Sequence, residues 1–245
     1  MRSATGRAPV TRVLQRFRSR RRDLGLANAL LLGLHGALQR LNDHLGLARY
    51  YLLAQPVGQM HASGNRPGRL QIRDITEDPA ALAQLPRATE QVRYRQEHGG
   101  VCLAAFAANG ETHMLGFIWL LFGPYHENEH RCVLQPPPDA PCALDVDVYV
   151  FPEARGGLVF AELWQAADRA LQERGIEWSL SRISAFNGSS LRAHERLGAR
   201  RIGSLYFLQL GRSELLLTGR PPFLALTRPD GHVPTITLHP PANRA

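Results

Sequence analysis

The run from Ala143 to Gly198 limits the folds open to this chain more than any other feature. ALDVDVYVFP is a strand pattern, and EARGGLVFAELWQAADRALQERG is a helix pattern ending at Gly175. SLSRISAF is a second strand and SSLRAHERLG a short helix. Two strands joined through a helix pair in parallel. Upstream, VCLAAFAANG and THMLGFIWLLFG form an antiparallel hairpin pattern turning near Asn109-Gly110. YYLLAQPV is a strand, HASGNRPG a turn region, and LQIRDITEDPAALAQL a strand running into a helix with Asp74 or Thr76 as N-cap. RIGSLYFLQLG and SELLLTG are two last strands, and the Pro-rich chain after Arg220 is expected to be irregular. The expected fold class is α+β: a mixed, mostly antiparallel sheet with a central parallel strand pair and flanking helices.

An N-terminal helical arm precedes that sheet. The first 22 residues hold eight arginines and no acid, and the apolar run LGLANALLLGLHGALQRL follows. Basic then apolar is the layout of a signal peptide, but Gly33, His35, Gly36 and Gln39 interrupt the run and no clear cleavage site follows. It is also too short to span a bilayer. Leu24, Ala27, Leu31, Leu34, Leu38, Leu41 and Leu45 recur at steps of three and four, which predicts a helix over 23–45 with one apolar stripe packed on the main domain. The expected organisation is an arm and helix over 1–48, a main domain over 49–220 and a tail over 221–245.

All 29 basic residues are arginine and the net charge is +8. That surplus suits an anionic partner. No nucleic-acid motif and no aromatic–basic interleaving is present, so nucleic acid is not expected. The arginine tract leaves a peripheral membrane contact open. Three unevenly spaced cysteines do not make a disulfide framework, and the expected location is the cytoplasm, including the inner face of its membrane.

The segment from Leu144 to Leu171 carries the clearest chemistry. A strand ending in Val150-Phe151-Pro152 leads through Arg155-Gly156-Gly157 into an amphipathic helix. Backbone N–H groups at a helix start suit an anion, glycine permits close approach, and arginine suits phosphate. About thirty residues later a strand delivers Asn187 to a helix that bears Ser190 and His194.

Val150, Pro152, Arg155 and Gly156, then Asn187, Leu191, Leu197 and Gly198, resemble the two acyl-CoA-binding motifs of the GNAT N-acyltransferase superfamily, over roughly residues 70 to 210. The pattern departs at Leu158 and Phe160, where the family has small residues. The resemblance implies a GNAT-like fold. It implies transfer of an acyl group, acetyl or longer, from acyl-CoA to a primary amine, on a small-molecule or sugar acceptor, by direct attack. Backbone groups near Val148, Tyr149 and Val150 would polarise the thioester. Arg155, Gly156, Gly157, Leu158, Asn187 and Ser190 would hold the donor. His194 stands where the family commonly has a tyrosine that protonates the leaving thiolate, and an imidazolium can do the same.

The acceptor amine needs a base or an anchor. Asp145, Asp147 and Tyr149 alternate onto one face of the strand, with Val146, Val148 and Val150 on the other. Asp145 and Asp147 are therefore expected as base or amine-binding groups, and binding of nearby arginines is their structural alternative. A loop holding Tyr125, Glu127 and Glu129 is expected to overhang the acceptor.

Two other classes stay open. His126-Glu127-Asn128-Glu129-His130 matches the H-E-x-x-H zinc signature, which on a helix would make a hydrolase. No metal is expected, because the segment is polar all round and Pro136 cuts it short. A GNAT-fold binding module without catalysis is the remaining class.

Overall fold

The computed structural model describes residues 24–59, 70–108 and 113–242. The chain divides into two compact units. One holds Met1–Tyr51, Ile183–Arg196 and Gly203–His232; the other holds Leu52–Arg182, Leu197–Ile202 and Val233–Ala245. The architecture is mixed α+β with mostly antiparallel pairing.

In the larger unit, strands β2 (Leu70–Asp74), β3 (Val101–Ala107), β4 (Met114–Leu121) and β7 (Cys142–Val150) pair antiparallel in that order. β8 (Trp178–Ser184) then pairs parallel to β7, as the intervening helix requires. The turn expected at Asn109-Gly110 and the region HASGNRPG lie outside the described residues. Helices α2 (Pro79–Leu82) and α3 (Thr89–Glu97) cover one sheet face, over a core with Phe106, Phe117 and Trp119. α4 (Val159–Gln172) covers the other, through Val159, Leu163, Trp164, Ala167 and Leu171. Its apolar residues recur at three and four, so one stripe reaches the core. Gly116 makes this packing close: a Cβ there would stand 2.7 Å from the Tyr149 carbonyl oxygen and 3.0 Å from Val159 Cγ1.

The N-cap of α2 is Asp78, not Asp74 or Thr76. Its carboxylate accepts from the N–H groups of Ala80 and Ala81, and Pro79 at the first position suits that start. Asp74 instead closes a local turn with Thr76.

A short sheet joins β5 (Tyr125–His126), β6 (Val133–Gln135) and β12 (Thr235–Thr237). The tail is therefore not irregular throughout: β12 runs parallel to β6, and β11 (Leu224–Thr227) pairs with β10 (Ser213–Thr218). Prolines confine these strands to short runs but leave enough donors for a ladder.

In the smaller unit, α1 (Leu26–Leu41) precedes β1 (Leu45–Pro56), of which Leu45–Tyr51 belongs to this unit. α1 is shorter than the predicted 23–45, because Asn42 is extended and Leu45 enters the strand. Its docking also differs from expectation. Asn28 donates to the Tyr51 hydroxyl at 3.0 Å and accepts from Arg49 at 2.9 Å. His35 Nδ1 accepts from the Leu47 N–H, and Gln39 donates to the Leu45 carbonyl. The helix thus docks through these hydrogen bonds and the buried Ala29, while Ala27, Leu34 and Leu41 of the expected packed stripe are exposed and Leu24, Leu31, Leu38 and Leu45 half-buried. β9 (Arg200–Leu210), from Gly203 onward, pairs antiparallel with β10, and α5 (Gly188–Arg196) follows β8.

Candidate functional site

β7 changes character halfway along. Its first four residues, Cys142–Asp145, are buried and form the parallel ladder with Trp178–Ser181 of β8. That ladder ends at Asp145, and the next five residues, Val146–Val150, are half-buried. A bulge lies at the same place: Leu120 of β4 pairs with Asp145, and Trp119 pairs with Asp147. One extra residue, Val146, breaks the alternation of faces.

The bulge separates the two aspartates. Directly paired residues on neighbouring strands share a face. Asp145 therefore lies on the α4 side with Leu120, and Asp147 on the α3 side with Trp119. Val146 packs with Tyr149 and Phe151 on the α3 side, while Val148 and Val150 pack on the α4 side. The expected single face of Asp145, Asp147 and Tyr149 is corrected accordingly: Asp147 and Tyr149 share one, and Asp145 does not.

Each aspartate has its own partners. Asp145 is buried and accepts from Ser179 Oγ at 2.8 Å and Ser181 Oγ at 2.6 Å. Burial pushes its carboxyl up to about 7, against the pull of the two serine hydroxyls. Asp147 takes Arg87 at 2.6 and 2.8 Å and Arg95 at 2.8 Å. The Arg95 side chain is 3% exposed, so the pair is an internal one. Asp147 therefore follows the arginine-binding alternative and is not open to an amine. Arg87 lies 5.0 Å from the centre of the Tyr149 ring and also lines a cleft of about 430 Å³ with Leu82, Leu85 and Val92.

The loop after β7 is open. Pro152–Ala154 make one turn of 3₁₀ helix, and Gly156 adopts φ +78°, which a side chain would resist. Arg155, Gly156, Gly157 and Leu158 are all exposed. No side chain caps α4, so its first-turn N–H groups are available to an anion. Leu158 is 51% exposed, and Phe160 turns toward Trp164 with ring centres 6.3 Å apart. The space beside Gly156 is open, since nothing lies within 4 Å of a Cβ there. Arg155 folds back, donating to the Val150 carbonyl at 3.0 Å.

Asn187, Ser190 and His194 belong to the smaller unit, on and before α5. Asn187 Oδ1 accepts from the Ser190 N–H and the Ser189 hydroxyl, which is helix capping. His194 is buried, not turned to solvent, and its Nδ1 meets the Ser190 carbonyl at 2.8 Å. A carbonyl only accepts, so Nδ1 carries the proton in the neutral ring. Burial pushes the His194 pKa down, against that hydrogen bond. The imidazolium needed to protonate a thiolate is thereby disfavoured.

The loop carrying HENEH is not a helix. His126 ends β5, and Glu127–Arg131 are irregular. Glu127 and Glu129 pair with Arg182 at 2.8 and 3.0 Å. Tyr125 is buried, accepts from Asn128 at 2.6 Å and is pushed up to about 12 by burial. The zinc reading needs two histidines on one helix face, and this backbone does not supply one. Among the described residues no three groups able to hold a metal come together. Arg87, Arg95 and Arg182 were not singled out by sequence reasoning, because their partners lie some fifty or more positions away. Ser179 and Ser181 carried a signal, since residues two apart on a strand share a face.

No family model matches the chain, and no curated protein does. Among solved structures, the GCN5-related N-acetyltransferase of Sphaerobacter thermophilus is similar at 16% identity, over 82% of this chain and 58% of that one, with a TM-score of 0.47. An aminoglycoside acetyltransferase from an uncultured soil metagenomic sample, in complex with trehalose, is similar at 15% identity over 52% and 86%, with a TM-score of 0.38. AAC(6′)-Iy in complex with the bisubstrate analogue CoA-S-monomethyl-acetylneamine is similar at 19% over 54% and 90%, with a TM-score of 0.39. Each of these three solved structures is an acetyltransferase by name, and one is GCN5-related, at 15–19% identity to this chain.

Proposed function

We propose that this protein is an acyl-CoA-dependent N-acyltransferase. One observation carries the reading. At Val146 the ladder to β8 ends and β7 becomes half-exposed, and the strand then leads directly to an open Gly156-Gly157 loop and an uncapped helix. An extended donor with a phosphate end suits that order of groups. Backbone N–H groups of Val148–Val150 would face its thioester, and loop and helix amides its phosphates. The amine nitrogen attacks the carbonyl carbon, an amide bond forms, the carbon–sulfur bond breaks, and the amine's proton ends on the sulfur as a thiol. Solvent at the half-exposed strand can carry that proton; His194 is left out of this role on the geometry above.

The acceptor side has a charge bias. Beside the Tyr149 ring stand two guanidinium groups, Arg87 at 5.0 Å and Arg155 at 5.8 Å, and the carboxylate that Arg87 holds, Asp147, is also paired with the buried Arg95. An amine that also carries a carboxylate or phosphate suits this face better than a polycation.

A thermal-shift titration with acetyl-CoA, longer acyl-CoAs and free CoA tests the donor. A saturable rise in melting temperature supports the proposal, and thiol release with a panel of anionic and cationic amines then identifies the acceptor. No shift with any of these ligands overturns it.

A further inference from the structure

The smaller unit turns two apolar faces outward. On α1, the polar residues Asn28, His35 and Gln39 bond inward, and Leu26, Leu30, Leu34 and Leu41 are 51–80% exposed. On the sheet, the register aligns Tyr206 with Leu217 and Leu224, and Leu208 with Leu215 and Leu226. Those two rows share one face. Leu217, Leu224 and Leu226 on it are 44–59% exposed, whereas Leu205, Phe207 and Leu216 on the opposite face are buried. The helix and the sheet face adjoin. Arg49 of β1 donates to Asn28 of α1 and lies 4.9 Å from the centre of the Tyr206 ring.

Hydrogen bonding on one side and leucine on the other is the reverse of a helix packed on a core. Contiguous apolar surface of this kind marks an interaction site. The charges around it select the partner. Arg40 ends α1, Arg212 sits in the β9–β10 turn and Arg228 follows β11, all exposed, against the exposed acids Asp43 and Asp230. Residues 1–22, which lie outside the described residues, carry eight arginines and no acid before Asp23. A two-fold contact with a second copy would set this basic rim against itself. Anionic lipid headgroups would neutralise it, while the leucines enter the boundary below. Among the described residues no helix is long and apolar enough to cross a membrane.

We propose that α1 and the leucine face of β9–β11 together form a docking surface for an anionic lipid bilayer. Co-sedimentation of the full chain with phosphatidylcholine vesicles, with and without phosphatidylglycerol, tests this. L30E/L34E alters the helix, and L224E/L226E alters the sheet. All four side chains but none of the core are changed, and an unaltered melting temperature verifies the fold. We expect the native chain to pellet with the anionic vesicles and only weakly with the neutral ones. Each double variant should cut binding by roughly tenfold or more, because two leucines no longer leave water. Failure of the native chain to pellet, or pelleting of both variants as strong as that of the native chain, overturns the proposal. A dimer in light scattering that both variants dissociate, without vesicle binding, assigns the surface to a second copy instead.

Discussion

Asp145 and Asp147 stand two residues apart on β7 and face opposite sides of its sheet, because the bulge at Val146 falls between them. One carboxyl is held by two serines, the other by two arginines. Their chemistry separates with their faces.

Asp147→Asn should destabilise the protein strongly. Arg95 would stay buried opposite an uncharged amide, and removing one partner of a buried pair costs about 3–5 kcal/mol. Denaturant unfolding of the purified variant reads this directly. A variant as stable as the native chain would return Asp147 to the pool of groups open to substrate.

Asp145→Asn should flatten the pH dependence of stability. The folded carboxyl lies up at about 7, above its unfolded value, so folding favours the protonated form. That contribution is fully present below the unfolded value near 4 and is lost as pH rises through about 7. The native chain should therefore lose more stability than the variant between pH 5 and pH 8. Parallel melting curves for the two proteins across this range would contradict the assignment.

His194 should titrate below 6.5 in an NMR pH titration of the imidazole. Burial lowers its folded value, so its contribution to stability is present above the unfolded pKa and is lost as pH falls below it. A titration above 6.5 would restore the imidazolium as a proton donor.

Gly116→Ala should cost about 1–3 kcal/mol, since an added methyl meets the Tyr149 carbonyl and Val159 at the start of α4. The same change should weaken acyl-CoA binding in the thermal-shift titration, because it displaces the loop and helix start proposed to hold the phosphates. Unchanged stability and unchanged ligand response together would separate the sheet from that site.

Much of the fold was legible in order along the chain. The hairpin, the strand–helix–strand run and the amphipathic α4 depend on local periodicity, which residue types encode directly. The Gly156 turn was legible for the same reason. α1 was legible as a helix but not in its orientation. A stripe at helical spacing says which residues share a side; it does not say whether core, lipid or water meets that side. His35 and Gln39, which interrupt the apolar run, are docking contacts together with Asn28.

By itself the sequence determined the secondary-structure order, the parallel return to β7 and the glycine turn before α4. Only the tertiary structure decided which side chains neutralise one another. Alternation placed both aspartates together until one unpaired residue, Val146, shifted the register. Arg87 and Arg95 reach Asp147 across a sequence separation that no local pattern spans. His194 could not be read as buried from its basic, polar neighbours, because burial depends on what the rest of the fold lays over α5. Charge pairing and desolvation are long-range in sequence, and they set the chemistry of each candidate residue.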